Sequence, residues 1–227
     1  MIWVTGDIHG DLSRFQASPL RHLRKGDSLI ICGDFGFLWN GTPEEEKILD
    51  KLSRKKYQIL FVDGTHENFD LLESYPVEDD FCGGKVRRIR DNIFQLMRGQ
   101  VYTMEGRRFF TFGGGEGEDT LLRKETGTYW PRSMPNIDEM KEGVENLRKA
   151  GQKVDYIITH SPYPNLSGQL PRWAEANTLT IYFQEIEKNV RYTKWCFGSL
   201  HINRSYTGRH QALFDDLLRL PTDDTRR

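Results

Sequence analysis

Five short runs of this 227-residue chain gather carboxylates, imidazoles and hydroxyls: Gly6-Asp7-Ile8-His9-Gly10, Gly33-Asp34-Phe35-Gly36, Asp63-Gly64-Thr65-His66-Glu67-Asn68, His160-Ser161-Pro162 and Gly198-Ser199-Leu200-His201. Four of the six histidines fall in them. The other two, His22 and His210, are read as surface or packing residues. Carboxylate oxygen together with neutral imidazole is the ligand set for Mn, Fe or Zn, whereas pure oxygen sets suit Mg or Ca. The chemistry these residue types allow is a divalent metal centre. Phosphate cradling by backbone is not indicated: no G-x-G-x-x-G or Walker pattern occurs, and Gly113-Gly114-Gly115 is not a phosphate-binding fingerprint.

What must position these clusters is a set of strands. Each cluster directly follows a β-rich run: Ile2–Thr5, Ser28–Cys32, Gln58–Val62, Val154–Thr159 and Lys194–Phe197. Open α/β sheets bind ligands at the carboxyl ends of their strands, and glycine there lets the backbone turn sharply. Further strands are expected over Arg108–Phe112, in a hairpin of Val86–Ile89 with Ile93–Met97, and late in the chain at Gln211–Phe214. Between them lie helical patterns. Thr42-Pro43-Glu44-Glu45 offers an N-cap, a first-turn proline and a capping-box glutamate. Ile48, Leu49 and Leu52 then share a face, and Arg54-Lys55-Lys56 close the end. Asn136 and Glu139 start a second helix carrying Met140, Val144 and Leu147, and a third is striped by Leu179, Tyr182, Phe183, Ile186 and Val190. This alternation predicts an α/β fold. The expected organisation is one domain over 1–221, with a frayed tail at 222–227. The stretch 113–135, rich in glycine and charge and without a period, is expected to be a long active-site loop.

In order and spacing the clusters resemble the five motifs of calcineurin-like metallophosphoesterases: G-D-x-H, G-D-x-x-D, G-N-H-D/E, a lone His after a strand, and G-H-x-H. The resemblance extends from Asp7 to His201. It implies a four-layer α-β-β-α sandwich with two mixed sheets and two metals bridged by one aspartate. Carried over residue by residue, Asp7, His9 and His201 would hold the first metal, Asp34 would bridge, and His160 would ligate the second. His66 would be the catalytic residue beside the leaving-group oxygen. Two cations about 3.5–4 Å apart clamp a phosphoryl group and activate water for in-line attack without a covalent nucleophile. The implied cofactor is one or two divalent ions, Mn first, with Fe, Zn, Ni or Mg as alternatives.

Three positions depart from the pattern. Thr65 stands where the family has Asn and Ser199 where it has the first His of G-H-x-H, both second-metal ligands in the family. A neutral hydroxyl is a weak substitute for an imidazole. Phe37 replaces the final Asp of G-D-x-x-D, which would orient the catalytic His. The second site is therefore expected to bind more weakly than the first, with Glu116, Glu118 and Asp119 as stand-in ligands. Arg123 and Arg132 of the long loop, beside Lys124 and Trp130, are expected to contact substrate. The function expected is hydrolysis of a small phosphomonoester or phosphodiester by metal-activated water. The alternative is a catalytically weak or silent scaffold of the same fold that binds a protein partner.

Bulk composition narrows the field further. The 32 basic and 33 acidic side chains leave a formal charge of -1, which counts against general nucleic-acid binding and a nuclease role. The apolar run Leu29–Cys32 is far too short to span a bilayer, and the first residues form no export signal, so a cytoplasmic location is expected. Cys32, Cys82 and Cys196 have no C-x-x-C spacing and read as buried, unpaired thiols. No oligomeric state is legible.

Overall fold

The computed structural model describes residues 1–117, 119–162 and 177–222; Glu118 and the tail from 223 lie outside the described residues. Two mixed sheets stack face to face. The first contains β1 (Ile2–Thr5), β2 (Ser28–Ile31), β3 (Gln58–Phe61), β4 (Val77–Phe81), β5 (Gly84–Arg90), β6 (Ile93–Leu96) and β13 (Leu218–Leu220), in the order β13-β1-β2-β3-β6-β5-β4. The second contains β7 (Gln100–Met104), β8 (Arg107–Phe112), β9 (Tyr156–Thr159), β10 (Lys194–Phe197), β11 (Arg204–Ser205) and β12 (His210–Ala212), in the order β11-β12-β10-β9-β8-β7.

Residue alternation along the strands makes the layers. Ile30 and Cys32 face the second sheet, where Tyr156, Ile158 and Cys196 meet them. Leu29 and Ile31 point the other way, onto Leu49 and Leu52 of α1 (Pro43–Ser53). On the far side Phe110, Ile157 and Trp195 pack under Leu147 of α4 (Ile137–Lys149) and Phe183 of α5 (Thr178–Asn189). The result is the expected four-layer α-β-β-α sandwich, with period-two burial on both faces of each sheet.

Several local expectations are corrected. Thr42 caps α1 by accepting from Glu45 N at 3.3 Å, but the Glu45 carboxylate does not return to the cap. It accepts instead from the amides of Trp39, Asn40 and Gly41. Asn136 does form the reciprocal box with Glu139. Cys32 and Cys196 are buried, whereas Cys82 is exposed in the turn between β4 and β5. β4 was not legible in the sequence because Val77-Glu78-Asp79-Asp80-Phe81 is mostly charged. It is an edge strand with one open side, where charge is tolerated. A short helix, α2 (Phe69–Leu72), follows β3, and the 113–135 stretch contains α3 (Thr120–Thr126) and a 3₁₀ turn at Pro131–Ser133.

Candidate metal centre

The clusters meet because their strands run the same way. β1, β2 and β3 are parallel neighbours, with Thr5 opposite Ile31 and Ile31 opposite Phe61. β9 and β10 are parallel in the other sheet, with Phe197 opposite Thr159. All five carboxyl ends open on one edge of the sandwich. The turns after them are strained: His9 (φ 50°), Asp34 (φ 44°), Ser199 (φ 67°) and His201 (φ 50°) are all left-handed non-glycine residues. Such conformations cost energy and concentrate at functional sites.

The side chains form three overlapping groups: Asp7, His9 and His201; His9, Asp34 and His66; and Asp7, Asp34 and His160. Within each, the ligand atoms lie within 4.8 Å of one another. Asp7 is fully buried, with His201 Nε2 at 3.1 Å and His9 Nε2 at 3.7 Å from its Oδ2. The two imidazole nitrogens of His9 and His201 approach to 2.9 Å. Asp34 Oδ2 lies 3.7 Å from His9 Nε2, 2.9 Å from His66 Nδ1 and 3.9 Å from His160 Nε2. His160 Nδ1 donates to the Cys32 carbonyl at 3.0 Å, which turns Nε2 toward Asp34 and fixes the tautomer a metal ligand needs.

The backbone is shaped around these groups. A Cβ at Gly33, whose φ is +105°, would lie 2.1 Å from His160 Nδ1, and one at Gly198 would lie 2.0 Å from Asp7 Oδ1. Burial works against both carboxylate charges. Yet His160, with His201 and His9, holds Asp7 below the ordinary carboxyl range, and His160, His66 and His9 do the same for Asp34. Two buried carboxylates facing four imidazoles form a donor set that fits one or two divalent cations.

The sequence model of the calcineurin-like phosphoesterase family matches residues 1–203. The chain belongs to that family. No curated protein matches the chain. Among solved structures, a Staphylococcus aureus chain described as a 5'-nucleotidase, solved with alpha-ketoglutarate, aligns at 12% identity and a TM-score of 0.46, over 94% of this chain and 48% of that one. This chain therefore spans about half the length of that neighbour. The phosphopantetheinyl hydrolase PptH of Mycobacterium tuberculosis aligns at 17% identity and a TM-score of 0.41, over 94% of this chain and 89% of that one. At these scores neither neighbour bears on the reaction; the assignment rests on the family match.

Within this fold the departing residues have found other work. Thr65 is buried, and its Oγ1 lies 3.1 Å from His66 Nδ1. Ser199 serves the centre through its backbone: its N–H reaches both oxygens of Asp7, at 3.0 and 3.1 Å. Phe37 is buried against Phe15 and Phe35, so position 37 itself supplies no carboxylate to His66. Of the stand-in acids, Glu116 accepts from Asn177 at 3.4 Å and Asp119 accepts from His66 Nε2 at 2.8 Å.

The two loop arginines are bound to protein partners. Arg123 is buried, donating to the Thr65 carbonyl and, at 3.2 and 2.8 Å, to the Thr128 carbonyl. Arg132 pairs with Asp70 and Glu73 rather than with a ligand residue.

Sequence reasoning missed three supports. Arg14 donates to the Asp7 carbonyl at 2.8 Å and to Thr5 Oγ1 at 3.1 Å, holding the first turn. Glu67 is fully buried and accepts from Phe35 N at 2.9 Å, tying the third turn to the second, while burial and Asp34 push its carboxyl well up. Arg98 is clamped between Asp63, Glu139 and the carbonyls of Arg132 and Ser133. Asp63, directly before Gly64, was a readable signal. Arg98 had none.

Proposed function

We propose that this chain is a metal-dependent phosphoesterase that hydrolyses a small phosphomonoester or phosphodiester. The observation that carries the reading is the meeting of Asp7, His9, Asp34, His66, His160 and His201 from five turns at one edge of the sandwich. Asp7, His9, Asp34 and His201 are the residues for a first ion, and Asp34 with His160 for a second, with Mn the first choice. Such ions, when bound, supply positive charge to phosphoryl oxygens and make water a better nucleophile. The chain's own residues do the rest. Ser199 N–H and Arg14 fix Asp7, and His66 N–H fixes Asp34 at 2.7 Å. His66, one-third exposed at the rim, is the proton donor to the departing oxygen; burial opposes its charge, but Asp34 and Asp119 raise its pKa to about 9. Arg123 supports the His66 turn rather than binding substrate directly.

The test compares the wild type with the pair Thr65→Asn and Ser199→His, and with that pair plus Asp34→Asn, in excess Mn on an aryl phosphodiester. Filling the second ligand set is expected to raise turnover by roughly tenfold or more, since each ~1.4 kcal/mol of barrier is tenfold, and Asp34→Asn is expected to abolish the gain. Metal content by elemental analysis accompanies each assay. Brisk wild-type turnover with no gain from the pair would mean that Thr65 and Ser199 belong to a complete site. A second reading, a silent scaffold that binds a protein partner, is favoured by Thr65 and Ser199. Two filled metals without turnover in either protein would select it.

A further inference from the structure

The two nitrogens of His66 face different partners. Nδ1 looks into the centre, 2.9 Å from Asp34 Oδ2 and 3.1 Å from Thr65 Oγ1, while Nε2 looks outward, 2.8 Å from Asp119 Oδ2. Asp119 comes from the 113–135 segment, 53 residues further along, and directly precedes α3. Its placement is anchored rather than casual. Arg123 N, on the same helix, donates to the Asp119 carbonyl at 2.9 Å, and the Arg123 guanidinium holds the Thr65 carbonyl. One short helix thus grips the His66 turn twice, once by the ring and once by the backbone. Trp130 Nε1 fastens the same segment to Asp70 at 2.8 Å, and the segment's Gly114 carbonyl accepts from Ser161 Oγ at 2.8 Å. Position 37, where Phe37 packs into the core, supplies no carboxylate to the ring; the carboxylate on Nδ1 is that of Asp34, a residue of the metal set.

We propose that Asp119 is the positioning residue of His66: its carboxylate accepts the Nε2–H, fixing the ring plane and leaving Nδ1 as the nitrogen that meets the reacting group. A carboxylate on one imidazole nitrogen sets which proton the other can exchange. The proton then moves from Nδ1 to the departing ester oxygen as the phosphorus–oxygen bond breaks. The ring left behind is the neutral Nε2–H tautomer, which Asp119 already holds. The carboxylate absent at position 37 is supplied from the other sheet's loop. The catalytic consequence rests on the phosphoesterase reading; the contact does not.

The experiment separates the two. Wild type and Asp119→Asn are labelled with ¹⁵N-histidine, and His66 is assigned by its loss in His66→Gln. Long-range ¹H–¹⁵N spectra are recorded in chelator and alkaline buffer, where the ring is neutral. The wild type is expected to carry more of the Nε2–H tautomer than Asp119→Asn, which should move toward the Nδ1–H form that Asp34 accepts. The Mn-loaded proteins are then assayed on two aryl phosphodiesters, one with a 4-nitrophenol and one with a phenol leaving group. Asp119→Asn is expected to lower kcat on the phenyl ester by roughly tenfold more than on the nitrophenyl ester, with KM and Mn content unchanged. An unchanged tautomer in Asp119→Asn overturns the proposal. A loss of Mn in step with kcat also overturns it, because Asp119 would then be a ligand. If neither ester is hydrolysed by the wild type while the tautomer responds, the positioning role stands and the phosphoesterase reading falls.

Discussion

Replacing Arg98 by Ala isolates one buried charge and tests how the base of the 113–135 segment is held. Arg98 and Asp63 are both buried, with Arg98 Nε and Nη2 at 2.9 and 2.6 Å from Asp63 Oδ2. Gln95 Nε2 donates to the other oxygen at 3.0 Å and would remain. Arg98→Ala removes both guanidinium bonds to Asp63 and leaves its buried carboxylate without the cation beside it. Breaking a buried pair from one side costs about 3–5 kcal/mol, most of it the stranded charge rather than the lost attraction. A chain of this size loses roughly 2–4 °C in Tm per kcal/mol, so the midpoint should fall by ~6–20 °C. Adding Asp63→Asn removes the stranded charge, and the double variant should recover part of the loss. Urea unfolding of the metal-free protein measures all three ΔG values in one series. Hydrogen exchange at 131–135 should quicken, because the Arg132 and Ser133 carbonyls lose their donor. A cost for Arg98→Ala below about 1 kcal/mol, or a double variant no better than the single, would refute the stranded-charge argument.

Three other substitutions test separate links. Gly198→Ala puts a Cβ 2.0 Å from Asp7 Oδ1 and 2.5 Å from the Cys32 carbonyl; Mn affinity by isothermal titration should weaken by roughly tenfold or more, in the range seen when supports of ligands are disturbed. Tyr102→Phe removes the buried hydroxyl that bridges Met97 N and the Lys85 carbonyl at 2.9 and 2.5 Å and leaves them only their own long bond of 3.4 Å, so unfolding should cost about 0.5–1.5 kcal/mol less in urea titration. Glu187 offers a pH test away from the metal centre. Burial raises its carboxyl, but His210 and Tyr192 outweigh that and lower it from the ordinary 4.5. A depressed folded pKa gives stability that is present above 4.5 and lost as pH falls through the lowered value. Glu187→Gln should therefore have the lower Tm near neutrality, and the two Tm curves should converge in acid. Parallel curves would show that the carboxylate contributes no charge-dependent stability.

Residue order alone determined the frame and the chemistry at its rim. Apolar runs such as Leu29-Ile30-Ile31 ending in Gly33-Asp34 identify strand ends, because burial on both faces and a sharp turn are local requirements written in neighbouring residues. Asp and His at five such ends are a metal-binding set by residue type, whatever their mutual distances. The tertiary structure decided which atoms do the work. Ser199 contributes its amide rather than its hydroxyl, Arg123 spends its guanidinium on the Thr65 carbonyl, and Glu45 leaves the expected cap for the amides of Trp39, Asn40 and Gly41. β4 emerged from a charged segment because an edge strand is half open to water. Asp119 on His66 and Arg98 on Asp63 join residues 53 and 35 positions apart. Contacts of that separation have no period or spacing to betray them; they exist only once two sheets and the turns above them have closed on each other.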